Sequence, residues 1–144
     1  ILFATRDPRA VLLSCYLRRF AMNPAMYQLL TLEGGAAFYD ATMRLAALVR
    51  PLLGLEWQVV RYESLAEELE PQLRRICGYL NLEWVENLGE FAARAQASER
   101  ATPSTAQLAR GLDGSGIGHW QHYRKELEAI LPTLSPWVQR LGYT

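Results

Sequence analysis

Two arginines and a serine carry the most chemistry in this 144-residue sequence. Arg6 stands in Arg6-Asp7-Pro8-Arg9, Ser14 follows eight residues later, and Arg18 four residues after that. Guanidinium groups are planar, permanently charged donor forks, and a serine hydroxyl adds one more donor. Such a set suits the oxygens of a phosphate, above all at the start of a helix. A local reading stands beside it, since an arginine next to an aspartate at a turn also makes an ordinary salt bridge. Tyr62, followed by Glu63, can pack on a purine or simply on the edge of a core. Gly114-Ser115-Gly116-Ile117-Gly118 precedes His119 and Trp120, and small residues ahead of a helix let backbone N–H groups approach a phosphate. It is neither a dinucleotide fingerprint nor a Walker loop. His119 and His122 lie three apart with no third ligand nearby, so no metal is expected.

These residues need elements to hold them. Ile1-Leu2-Phe3-Ala4-Thr5 is an apolar run that reads as a buried strand, and an apolar-periodic segment continues to Phe20 as a helix. Asp7 is placed to cap that helix and Pro8 suits its first turn. Arg6 is thereby left at the carboxyl end of a strand, where open α/β sheets bind their ligands. Ser14 and Arg18 would share one helix face. Asn23-Pro24 breaks the pattern, and Thr31 caps a second helix with an apolar stripe of Phe38, Ala41, Leu45, Leu48 and Val49. Gly34 and Gly35 weaken its first turn, and Pro51 and Gly54 end the region.

Trp57 to Tyr62 is the second strand candidate, followed at once by a capping box, Ser64-Leu65-Ala66-Glu67. Pro71 restarts or kinks the next helix, whose face is Leu73, Ile76, Cys77 and Leu80, closed by Asn81. Residues 84–96 read as another helix and residues 98–112 as a long loop. Trp120, Tyr123, Leu127, Ile130 and Leu131 form an amphipathic helix that Pro132 and Pro136 break before a short terminal one. Two strands separated by long helical segments imply a parallel pair with crossovers, hence an α/β chain.

Half the residues are hydrophobic and about a fifth charged, the composition of a globular domain. The formal net charge is zero, so nucleic-acid binding through bulk charge is excluded and any anion site must be local. Cys15 and Cys77 lie on apolar faces without a CxxC partner and read as reduced thiols of a cytoplasmic protein. No stretch is apolar enough for a membrane span.

Taken together, these pieces resemble the sulfotransferases that use 3′-phosphoadenylyl sulfate, most of all the bacterial branch often joined to tetratricopeptide repeats, and more distantly the tyrosylprotein sulfotransferases. The resemblance rests on Arg6-Asp7-Pro8-Arg9-Ala10-Val11 with Ser14, on Asn23-Pro24-Ala25-Met26, and on Val60-Arg61-Tyr62-Glu63-Ser64-Leu65. It continues in Thr102-Pro103-Ser104, Gln107, and Ile117-Gly118-His119-Trp120, with Ser104 and Trp120 sixteen residues apart. It implies that Arg6, Ser14 and Arg18 hold the 3′-phosphate. Tyr62 and the Ser104–Arg110 segment, with Gln107 and Arg110, would contact the adenine or ribose side.

His119 departs from the usual Lys or Arg at its position and would make a weaker, pH-dependent phosphate contact. The family's 5′-phosphosulfate loop, with the catalytic base just beyond it, has no counterpart here. The chain therefore reads as the C-terminal portion of one sulfotransferase domain, predominantly helical with about two short parallel strands. The complete enzyme would pass a sulfuryl group to an acceptor hydroxyl or amine and release the 3′,5′-bisphosphate, without a metal. The chain by itself is expected to be inactive, with a sheet edge and apolar surface open to self-association. Two alternatives are a non-catalytic helical interaction module on the same frame and a P-loop kinase relative.

Overall fold

The computed structural model describes residues 1–18, 20–86, 88 and 114–144. They divide into two compact units, each made from two separate stretches of chain.

The first unit comprises Ile1–Thr5 and Trp57–Gly116. Strands β1 (Leu2–Thr5) and β2 (Gln58–Arg61) pair in parallel, with Phe3 opposite Val59 and Thr5 opposite Arg61. The β-branched and aromatic content predicts such strands, and the Phe3 and Trp57 rings meet with centroids 5.3 Å apart. Arg61 is the last extended residue and Tyr62 already begins helix α3 (Tyr62–Glu67), so Tyr62 does not end the strand as expected. Ser64 accordingly lies inside α3, and the anticipated capping box does not form. Helix α4 (Leu69–Leu80) follows and closes at Asn81, whose left-handed φ of 54° suits asparagine. Cys77 is its buried residue, while Leu80 stays exposed. Residues 84–86 are not helical, and the rest of the helix expected over 84–96, with the expected loop over 98–112, lies outside the described residues.

The second unit comprises Arg6–Glu56 and Ile117–Thr144. Helix α1 (Pro8–Tyr16) starts as expected: the Asp7 Oδ1 accepts the Arg9 backbone N–H at 2.9 Å, and Pro8 occupies the first turn. It stops at Tyr16, not Phe20, where Tyr16 and Leu17 turn out to solvent. A short 3-10 turn (Met26–Leu30) leads to helix α2 (Leu32–Leu52), capped by the Thr31 hydroxyl, which accepts from Gly34 N–H at 3.0 Å.

The buried face of α2 is not the expected stripe. Phe38, Leu45 and Leu48 are exposed, and Gly35 and Ala36 are buried instead. The reason is close approach, since a Cβ on Gly35 would lie 2.5 Å from Leu12 Cδ1 of α1.

After Gly118 (φ 72°), a 3-10 turn (His119–Tyr123) leads into α5 (Arg124–Leu127) and, through Glu128–Ile130, into α6 (Leu131–Arg140). Pro132 sits in the first turn of α6 and starts that helix, where it had been expected to break one; Pro136 lies within it. Ala10, Leu12, Leu13, Ala36, Trp120, Leu127, Ile130 and Leu134 form the core. Leu127 and Leu134 are fully buried, each stabilising the unit by roughly 1.5–3 kcal/mol. Trp137 of α6 donates its Nε1–H to Asp40 Oδ1 of α2 at 2.8 Å.

Candidate functional site

The second unit gathers four of the residues singled out for anion binding: Arg6, Ser14, Arg18 and His119. Arg6 and Ser14 are half-buried, one just ahead of α1 and the other in its second half. Because α1 ends at Tyr16, Arg18 lies beyond the C-cap Leu17 and not on a helix face above Ser14. Its backbone N–H bonds the Cys15 carbonyl at 3.2 Å, which tightens the chain at the helix end.

Arg6 and Arg18 both bear on the neighbouring thiol of Cys15. Burial pushes the Cys15 thiol above its ordinary range, while the positive charges of Arg18 and Arg6 pull it partly back. Positive charge from the residues just before and just after α1 thus reaches Cys15, the residue that follows Ser14 in sequence. A hydroxyl and two fixed cations around one helix can bind a tetrahedral anion, and the set contains no general base. Thr5, the last residue of β1 and the neighbour of Arg6 in sequence, is 8% exposed, and its hydroxyl has no hydrogen-bond partner among the described residues. A buried orphan hydroxyl is costly unless a ligand or water satisfies it.

The local ion pair that competed with an anion site in the sequence exists, and it joins Asp7 to Arg9. The Arg9 fork grips both carboxylate oxygens, Nε to Oδ1 at 2.9 Å and Nη2 to Oδ2 at 2.7 Å. Its guanidinium also lies 3.9 Å from the centroid of the Trp120 ring. Sequence reasoning missed this pairing, because Trp120 reads as core by its helical spacing and nothing local ties it to Arg9. Arg9, Trp120, Arg124, Leu134, Gln139 and Tyr143 are among the residues lining a cavity of about 330 Å³.

His119 is exposed, with its ring 5.6 Å from that of His122 and 5.4 Å from that of Tyr123. Among the described residues no group of three or more His, Cys, Asp or Glu could hold a metal, and no helix is long and apolar enough to cross a membrane. Tyr62 is half-buried at the start of α3 in the first unit. Ser104, Gln107 and Arg110 lie outside the described residues.

A parallel strand pair in a mostly helical chain, with a capped helix starting straight after β1, defines an α/β protein. The model of the sulfotransferase family matches residues 1–86, more than half of the chain, and the chain belongs to that family. The match spans β1 to α4 and includes Arg6, Ser14, Arg18 and Tyr62; His119 lies beyond it. Neither the comparison with curated proteins nor that with solved structures returned a match.

Proposed function

We propose that this chain carries the 3′-phosphate side of a 3′-phosphoadenylyl sulfate site in a sulfotransferase, with Arg6, Ser14 and Arg18 as the phosphate-binding residues. The observation that carries this reading is the match of the sulfotransferase family model to residues 1–86, the stretch that holds Arg6, Ser14 and Arg18 around α1. The bound nucleotide would supply an activated sulfuryl group for transfer to an acceptor hydroxyl or amine. The residues of this chain fix the far end of the nucleotide and so orient its reactive end. His119 is proposed as a further contact to the phosphate and Tyr62 as a contact to adenine, both by resemblance to the family.

Calorimetric titration with adenosine 3′,5′-bisphosphate tests the reading. Arg6→Ala removes a charged hydrogen-bond donor, which costs about 1.5–3 kcal/mol, so affinity should fall by about tenfold to a hundredfold. Arg18→Ala should fall in the same direction. Wild-type affinity in Arg6→Ala, or no binding by the wild type at millimolar nucleotide, would sink the proposal. ATP bound as tightly as the bisphosphate would favour the kinase-like alternative.

A further inference from the structure

Arg9 contacts three separate stretches of the second unit. Besides its two bonds to Asp7, Nη2 donates to the Thr144 carbonyl oxygen at 2.8 Å, and the guanidinium stacks on Trp120. The Arg9 and Asp7 side chains are only 12% and 13% exposed, so water screens the pair poorly. Asp7 is already committed to capping α1, which fixes a carboxylate at the start of the helix, next to Arg6. Taking the Arg9 charge away from that carboxylate would make this end of α1 more negative and less favourable to any anion that Arg6, Ser14 and Arg18 attract. Trp120 in turn follows Gly118 and His119 directly, and the Gln121 N–H bonds the Gly118 carbonyl at 3.0 Å. One guanidinium therefore ties the start of α1 to the turn that bears His119.

We propose that Arg9 is a positioning residue of the anion site: it cancels the Asp7 charge and fastens the start of α1 to the Trp120 turn, without itself touching the ligand. This rests on the reading that Arg6, Ser14 and Arg18 bind the 3′-phosphate. A lysine could not replace it fully, since an ammonium lacks both the two-pronged fork and the flat face that stacks on an indole.

The test is charge rescue, with adenosine 3′,5′-bisphosphate as the probe in calorimetry of the whole chain. Arg9→Met should weaken binding by about five- to twentyfold, the order of a charge effect at a partly buried helix terminus. Asp7→Asn keeps the cap, because asparagine caps as well as aspartate, and should bind at least as tightly as wild type. The double variant Arg9→Met with Asp7→Asn should recover most of the loss. A double variant as weak as Arg9→Met would overturn the proposal, because a merely structural arginine is not rescued by removing a charge. Should Arg9→Met fail to fold, Arg9→Gln with and without Asp7→Asn supports the same comparison, since it too removes the charge. Arg6→Ala separates the two ideas. If it binds like wild type, or the wild type does not bind, the phosphate reading has failed and Arg9 has nothing to position. If it loses affinity while the rescue is absent, only the role of Arg9 falls.

Discussion

Gly35→Ala pits two opposing effects against each other at the contact that seats α1 on α2. The new Cβ would lie 2.5 Å from Leu12 Cδ1 and 3.6 Å from Leu29 Cδ2. Carbon atoms rest at about 3.5–4.0 Å, so the Leu12 methyl must retreat by about 1 Å or α1 must move. Leu12 is 2% exposed and hemmed in by Ala10, Leu13 and Ala36, which leaves it little room. Overpacking of this kind costs about 1–3 kcal/mol. Against it stands the helix propensity of alanine over glycine, about 1 kcal/mol. The net expectation is a destabilisation of up to about 2 kcal/mol.

Gly78 in α4 provides the control, because nothing lies within 4 Å of its Cβ position. Gly78→Ala should therefore show the propensity gain alone and stabilise by about 1 kcal/mol. Urea unfolding followed by circular dichroism measures both. Adding Leu12→Ala should remove the penalty of Gly35→Ala, since the methyl it strikes is gone. If Gly35→Ala stabilises as much as Gly78→Ala, the close-approach argument is wrong.

Two pH-linked predictions follow from groups in the second unit. Burial, reinforced by Tyr143 and Asp7, pushes the Tyr39 hydroxyl up to about 12. The unfolded chain therefore ionises first, and stability should fall by up to one proton's worth of slope between about pH 10 and 12. Tyr39→Phe should flatten that slope in alkaline unfolding while changing little at pH 7; an unchanged alkaline slope would contradict the assignment. Asp40 is held below the usual carboxylate range, first by the Trp137 N–H and then by Arg44. Its contribution is present above the unfolded value and lost as pH falls through the lower folded one. Melting temperatures of wild type and Asp40→Asn should thus differ most near neutrality and converge in acid.

Three local capping signals in the sequence survived into the structure, whereas the Ser64–Glu67 capping box did not. Asp7 with Pro8, Thr31 and Asn81 each act through their own backbone neighbours, and all three cap as read. Features that depend on what lies across the chain were less legible. Hydropathy ranks side chains by apolar bulk, so it selected Phe38, Leu45 and Leu48 on α2. Burial in fact follows Gly35 and Ala36, where the absence of bulk lets α1 in. The same blindness turned Gly34 and Gly35 into mere weaknesses, although a Cβ on Gly34 would sit 2.6 Å from the Gln28 carbonyl oxygen. Periodicity carried α1 on to Phe20 because Leu17 and Phe20 are apolar, whether or not anything covers them. At the candidate site the residue types were readable, but the helical spacing of Ser14 and Arg18 was not. Arg9 could not be matched to Trp120, since 111 residues separate them.

The way the two units share the chain has a consequence during synthesis. The polypeptide passes from one to the other after Thr5, after Glu56 and after Gly116, so neither unit is a continuous run. Ala10, Leu12 and Leu13 are made well before Leu127, Ile130 and Leu134, which complete their core. At about 5–20 residues per second, the ribosome leaves the apolar face of α1 without those partners for roughly 6–23 s. β1 likewise waits for β2. Such a chain folds through long-range closure, so its yield in a cell depends on what shields α1 until those later partners have been made.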